Sequence, residues 1–332
     1  MNATIRKSFV KSSKAQYLKT ASLPDEQVDE DALRTYFKFL VFTGAYEKAL
    51  PLAKRALDIS EKKYGADSLD ANSKTIELAD MYCYLGDYAG SIPLLERTLK
   101  HAEDMFGHEH WNTVTSLNSL GISLKTLGKF AEAVPKLERV VEIIEKLNGP
   151  DHLDTSTALN NLADVFSEMG ELEKSLPLMK RSLEITELNC GADHPETIVT
   201  MNNLAILMNK MEDYEGSLTL TEKALKGRER VFGEDHPSTC MSMICLADLY
   251  QKMSRLEEAL KLSEKCLKIQ ERILEEDHPE IAFALMILGI CLDGAERKEE
   301  AKPYFERCLK IREKAYGEDH PFTIQARNYF ES

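Results

Sequence analysis

The triplet Asp193-His194-Pro195 returns as Asp235-His236-Pro237, Asp277-His278-Pro279 and Asp319-His320-Pro321, each 42 residues after the last and with no insertion between them. A fixed period of this length constrains a fold more than any local propensity, because each repeat is one supersecondary unit that buries its apolar face only against its neighbours. In the same register the chain reads Asp151-His152-Leu153, Glu109-His110-Trp111, Asp67-Ser68-Leu69 and Asp25. This register predicts seven units of 42 residues, at 25–66, 67–108, 109–150, 151–192, 193–234, 235–276 and 277–318, and a closing half unit at 319–332. It overrides the expectation of two ordinary domains that 332 residues would otherwise carry.

Each unit holds two apolar stripes at helical spacing, the pattern of paired amphipathic helices. The first stripe reads Leu159, Leu162, Ala163, Phe166 in one unit and Met201, Leu204, Ala205, Met208 in the next. The second places a small residue at Ala49, Ser91, Ala133, Ser175, Ser217, Ala259 and Ala301. Eight positions later comes an apolar one, at Leu57, Leu99, Val141, Leu183, Leu225, Leu267 and Leu309. Small residues let two backbones approach and large ones fill the remaining space, so the expected fold is an all-α solenoid of antiparallel helix hairpins. Short turns such as Leu85-Gly86-Asp87-Tyr88 join the two helices of a unit, while Gly65, Gly107, Gly149, Gly191, Gly233 and Gly317 end the second helices. Proline shortly afterwards suits a first helical turn, and the Asp or His before it can cap that turn. Glu275 occupies the glycine slot of the sixth unit, so that turn is expected to be built differently.

Composition excludes several functions. The 56 acidic and 42 basic residues leave a net charge of -14, which repels phosphate backbones and argues against nucleic acid as a partner. The longest apolar run, Ile281 to Leu292, falls short of the roughly 20 residues of a spanning helix. Seven cysteines, none at the two-residue spacing of zinc ribbons or redox motifs, read as small core residues in a reducing compartment, and a cytoplasmic location is expected. The segment 1–24 carries Arg6, Lys7, Lys11, Lys14 and Lys19 with no acid before them, which admits a mitochondrial presequence. The register also places Thr4 to Ala21 where a degenerate capping helix would lie, and that reading is preferred.

The phrases His194-Pro195-Glu196-Thr197, Met201-Asn202-Asn203-Leu204-Ala205, Leu159-Asn160-Asn161-Leu162-Ala163 and Leu256-Glu257-Glu258-Ala259 resemble the 42-residue tetratricopeptide repeats of kinesin light chains, nephrocystin-3 and the sensor arms of some signalling NTPases. The resemblance covers residues 25–332 and implies a right-handed superhelix whose concave wall is made by the first helices, with an extended peptide lying along it. Carried over by position, it puts Asn118, Ser119 and Lys125 on that wall, then Asn160, Asn161 and Asp164, then Asn202, Asn203, Asn209 and Lys210. Asparagine both donates and accepts, so it can pair with a peptide backbone whatever side chains the peptide carries. Toward the carboxyl end the same slots hold Met241 and Ile244, then Phe283, Met286, Ile287 and Ile290. An apolar groove end of this kind would take a hydrophobic client residue or a second copy of the chain.

Catalysis finds no foothold: phosphate loop, nucleophile elbow, zincin motif and dinucleotide fingerprint are all missing, and no cofactor is expected. Six histidines recur in one turn slot, at 110, 152, 194, 236, 278 and 320. Equivalent slots in stacked hairpins stand at least a helix diameter apart, too far to share a metal, so capping is expected of them and no metal site. His108 and His110 could chelate together but have no evident third ligand in the neighbouring sequence. The expected function is a scaffold or adaptor holding a client peptide or helix in the concave groove. Two alternatives stand beside it: a regulatory or sensor arm of a larger machine, and a self-assembling helical scaffold.

Overall fold

The computed structural model describes residues 28–42, 45–318 and 320–331, so the basic segment 1–24 and the capping helix expected at Thr4 to Ala21 lie outside the described residues. The described residues form fifteen α-helices and no strand. The chain separates into two compact units, Met1–Pro150 and Asp151–Ser332.

The first unit contains α1 (Glu30–Phe42), α2 (Tyr46–Tyr64), α3 (Leu69–Tyr84), α4 (Tyr88–Phe106), α5 (Trp111–Thr126) and α6 (Phe130–Asn148). The second contains α7 (Leu153–Glu168), α8 (Leu172–Cys190), α9 (Pro195–Lys210), α10 (Tyr214–Phe232), α11 (Pro237–Lys252), α12 (Leu256–Ile273), α13 (Pro279–Gly294), α14 (Lys298–Tyr316) and α15 (Pro321–Glu331). Within each unit every helix packs against its neighbours in sequence, and α11 also touches α13. This is the consecutive stacking of a helical-hairpin solenoid. The longer helices begin at Tyr46, Tyr88, Phe130, Leu172, Tyr214, Leu256 and Lys298, each one full repeat period beyond the last.

The two stripes are the core. Leu159, Leu162, Ala163 and Phe166 are all buried on α7, as are Met201, Leu204 and Ala205 on α9. The small slot of the longer helices is 0% exposed at Ala49, Ala133, Ser175 and Ala259. Serine serves there because its hydroxyl is satisfied by the neighbouring backbone: Ser175 Oγ donates to Ala163 O at 2.7 Å and Ser217 Oγ to Ala205 O at 2.8 Å. A buried hydroxyl without such an acceptor would cost more than the alanine it replaces.

The turns follow from their end residues. Gly191 closes α8 at φ 84°, a conformation that costs L-residues strain, and its N–H reaches Glu187 O. Where Glu275 takes the glycine slot, α12 stops at Ile273 and Leu274 leaves the helix extended, at φ -115°. The repeated histidine begins the next helix. Nδ1 of His110, His152, His194, His236, His278 and His320 accepts the backbone N–H two residues on, at 3.1 to 3.3 Å. Ser68 does the same work at α3, accepting from Ala71 N at 3.1 Å. Each cap satisfies one of the amide hydrogens that a helix start leaves without a partner.

Candidate peptide-binding wall

Helices α7, α9, α11, α13 and α15 follow one another as the shorter members of successive hairpins, and two adjoining depressions run across them. The first, about 200 Å³, is lined by Asn160, Asn161, Asp164, Ser167, Asn203, Ile206 and Lys210, among others. Asn161 and Asp164 on α7, like Asn203, Ile206 and Lys210 on α9, are spaced three or four positions apart, which gathers them on one face of their helix. Lys210 Nζ lies 2.9 Å from Ser167 Oγ and so links α9 to α7. Asn202, Asn203 and Asn209 are half-buried and make no side-chain hydrogen bond among the described residues. Asn160 differs from them: its Nδ2 donates to Ser182 Oγ at 2.6 Å on α8, and its Oδ1 is buried without a partner. That amide binds the hairpin together as well as lining the depression. In the first compact unit, Asn118, Ser119 and Lys125 are half-buried on α5.

The second depression, about 380 Å³, begins at Asn202 and Asn209 and passes Met241, Ile244, Phe283, Met286, Ile287 and Ile290 before ending at Arg312, Phe322 and Gln325. Its volume is that of a small ligand pocket or of a few peptide side chains. Ile244 and Met286 are 6% and 3% exposed and form its floor, while Met241, Phe283, Ile287 and Ile290 are half-buried. The closing helix does more than flank the last hairpin. Phe322 at the start of α15 meets Phe283 edge to face with ring centroids 5.9 Å apart, so an end cap supplies part of the wall.

Beside that pair lies Arg312, 2% exposed. Its Nη1 donates to Phe322 O at 2.7 Å and Gln325 Oε1 at 3.2 Å, and its guanidinium carbon stands 5.6 and 5.5 Å from the Phe283 and Phe322 ring centres. Sequence reasoning passed over this residue because it belongs to a longer helix. A signal was available: the slot holds Ser60, Ala102, Ile144 and Thr186 in earlier repeats, then Arg228, Gln270 and Arg312.

Metal and redox chemistry can be placed as well. Among the described residues Cys190, His194 and Glu196 bring ligating atoms within 4.8 Å of one another, a trio that a comparison of histidine slots with each other does not find. Two of the three are exposed, and His194 Nδ1 already accepts the Glu196 N–H at 3.3 Å. Cys240, Cys266, Cys291 and Cys308 are buried, whereas Cys245 is exposed. Burial pushes the Cys291 and Cys308 thiols up to about 12 and about 11, which keeps both protonated and unreactive near neutrality. No helix among the described residues is long and apolar enough to cross a membrane.

A solenoid of such hairpins with a polar and then apolar wall defines a class, the helical-repeat interaction proteins. The tetratricopeptide repeat profile matches residues 70–146, 124–188, 163–229, 196–255 and 239–314, more than half of the chain, and the chain belongs to the tetratricopeptide repeat family. No curated protein matches it. Solved structures share its fold. An array of nearly identical TPR-like repeats of kinesin light chain type from Podosopora anserina is 23% identical, with a TM-score of 0.56 over 64% of this chain and 99% of that one. BtubC from P. vanneervenii is 19% identical at a TM-score of 0.60, covering 70% of this chain and 94% of its own. A STAND ATPase with a tetratricopeptide repeat sensor from Pyrococcus horikoshii is 16% identical at a TM-score of 0.62, where 99% of this chain corresponds to 49% of that one.

Proposed function

We propose that the chain is a scaffold that holds an extended segment of a client protein against the wall formed by α7, α9, α11 and α13. Members of the family work by protein–protein interaction, and this chain's own residues suit that work. The observation that carries the reading is the set of amides at Asn202, Asn203 and Asn209, set in depressions and without an intramolecular hydrogen bond among the described residues. An amide held half-buried and unpaired forfeits hydrogen bonds to water, and a peptide backbone restores both a donor and an acceptor. Asparagine adds nothing to helix propensity that would explain three such residues on α9.

The test is affinity purification with the wild-type chain and with Asn161→Ala/Asn203→Ala as bait, compared by mass spectrometry. Clients that bind along this stretch should lose roughly tenfold or more in affinity, since each backbone contact contributes about 0.5 to 1.5 kcal/mol. Retention of every client by the folded double variant would show that the wall is not used.

A second reading is a sensor arm of a larger machine. It is favoured by the correspondence of 99% of this chain to about half of a STAND ATPase. A nucleotide-binding domain encoded in the same transcript would support it. A third outcome, self-association through the apolar end, would appear in light scattering as a dimer that Ile287→Asp/Ile290→Asp abolishes without loss of helix.

A further inference from the structure

The junction between α8 and α9 departs from its equivalents at one residue, Cys190. In the same slot the second and fifth repeats carry Phe106 and Phe232, whose rings stack on the capping histidines His110 and His236 with centroids 4.7 Å apart. Cys190 puts a half-buried thiol where those rings lie, at the edge of a turn rather than in the core that takes Cys240, Cys266, Cys291 and Cys308. A capping histidine is followed two positions on by a carboxylate at His152 and Asp154, at His194 and Glu196, and at His278 and Glu280. Only the middle pair has a cysteine four positions before the histidine.

We infer that Cys190, His194 and Glu196 bind a zinc-class divalent cation, with water as its fourth ligand. Cys190 Sγ lies 3.9 Å from Glu196 Oε2, and one ligating atom from each of the three residues lies within 4.8 Å of the others. Around zinc, with bonds of about 2.0 to 2.3 Å, ligand atoms stand roughly 3.3 to 3.7 Å apart. Closure by about 1 Å at most is needed, and Glu196, exposed on a flexible stem, can supply it. The backbone beneath the ligands is fixed. His194 N donates to Gly191 O at 3.3 Å and closes the turn, while Thr197 Oγ1 donates to Thr186 O at 3.2 Å and ties α9 to α8. The three ligands therefore stand on the end of one helix and the start of the next, which favours a preorganised site.

Sulfur, nitrogen and oxygen together select a borderline cation such as zinc; calcium and magnesium need more oxygens than the turn offers. On ligation the Cys190 thiol gives its proton to solvent, and thiolate and carboxylate then balance the two charges of the ion. The amino end of α9 opposes a cation with only about half a charge, and the carboxyl end of α8 meets the same turn with the opposite sign. His194 Nδ1 accepts the Glu196 N–H, so ligation exchanges that cap for a metal bond. The exposed turn lets water take over the released N–H. Equivalent histidines stand too far apart to share an ion, but this site needs only one of them.

The test is a titration of the full chain, kept reduced with a phosphine, by Zn2+ in competition with a chromophoric chelator and by Co2+ alone. Three single variants borrow residues from the chain's own repeats: Cys190→Phe as at 232, His194→Ser as at 68, which retains a cap, and Glu196→Ser as at 238. Wild type should bind one equivalent of Zn2+, gain a higher Tm with it, and show sulfur-to-cobalt charge transfer with Co2+. Each variant, helical by circular dichroism without metal, should bind Zn2+ at least about tenfold more weakly. Absence of the charge-transfer band in wild type, or a folded variant of any of the three that holds Zn2+ as tightly as wild type, would overturn the inference.

Discussion

Phe305 on α14 lies so close to Gly289 on α13 that a Cβ built on the glycine would stand 2.5 Å from the ring's Cε1. The same slot holds Gly121 in the third repeat, facing Leu137 with its Cγ at 2.7 Å, and Ala163 in the fourth, where Met179 is the residue in the facing position. Glycine on the first helix thus accompanies a bulky branched or aromatic side chain on the second. Gly289→Ala should therefore destabilise the second compact unit by about 1 to 3 kcal/mol through overpacking, despite the better helix propensity of alanine. Thermal denaturation should show a lowered Tm, and adding Phe305→Met, which reproduces the Ala163 and Met179 pair, should restore most of it.

Three hairpin turns carry a different signature. Gly86, Gly128 and Gly170 take positive φ between the helices of their hairpins, but Glu212, Ser254 and Glu296 hold the same slot at φ 61°, 59° and 60°. A left-handed conformation costs an L-residue about 1 kcal/mol or more, partly offset by the greater unfolded-state entropy of glycine. Replacing each with glycine should stabilise the chain by about 0.5 kcal/mol per site, read from urea midpoints at unchanged slope. A loss of stability at all three would mean that their side chains support the turn.

Glu103 gives the first compact unit a dependence on pH. Partial burial pushes its carboxyl up, but hydrogen bonds from Arg139, at 2.5 Å, and from His108, at 3.2 Å, outweigh this and hold it below the usual carboxylate range. A group whose folded value is depressed contributes stability in full above its unfolded value of about 4.3, and loses it as pH falls through the folded value. Glu103→Gln should therefore be less stable than wild type at pH 7, by up to about 1 kcal/mol. The difference should shrink below about pH 4. A difference that stayed constant from neutral to strongly acidic pH would assign the effect to packing.

How far the chain could be read from its sequence depended on whether each feature recurs. The stripes and the small slots return in every period of the register and the histidine cap in six of its slots, and recurrence reveals what a single instance would not. His194 alone is an ordinary histidine, but six in one slot before a helix start point to a common backbone role. The shortened end of α12 was legible for the complementary reason, a break in the pattern at Glu275. What recurrence does not show is the direction a side chain takes once its neighbours differ. Asn160 and Asn202 occupy the same position of the repeat register, yet Asn160 meets Ser182 at 2.6 Å, whereas Asn202 has no hydrogen-bond partner among the described residues. Arg312 was missed because its significance lies in Phe283 and Phe322, which come together with it only in the folded chain.

The repeat register itself makes the last prediction. Ion pairs tie successive repeats at one separation: Arg307 bonds Glu271, 36 residues earlier, as Arg139 bonds Glu103. Lys314 and Asp277 form a second kind of pair, one position longer in separation and contained within the unit 277–318. If the physical unit is the sequence period, excising 193–234 brings His236 into the place of His194, Ser217's role to Ala259, and every junction contact into register with its repeat equivalent. That deletion should leave a cooperative, fully helical protein whose helix content falls in proportion to the length removed. Removing only 193–222 instead joins the turn before α9 to the middle of α10 and leaves an apolar stripe without its partner. Circular dichroism and thermal melting of the two deletions decide the matter. A full-period deletion that melts as broadly as the shorter one would mean that the unit of packing is not the unit of repetition.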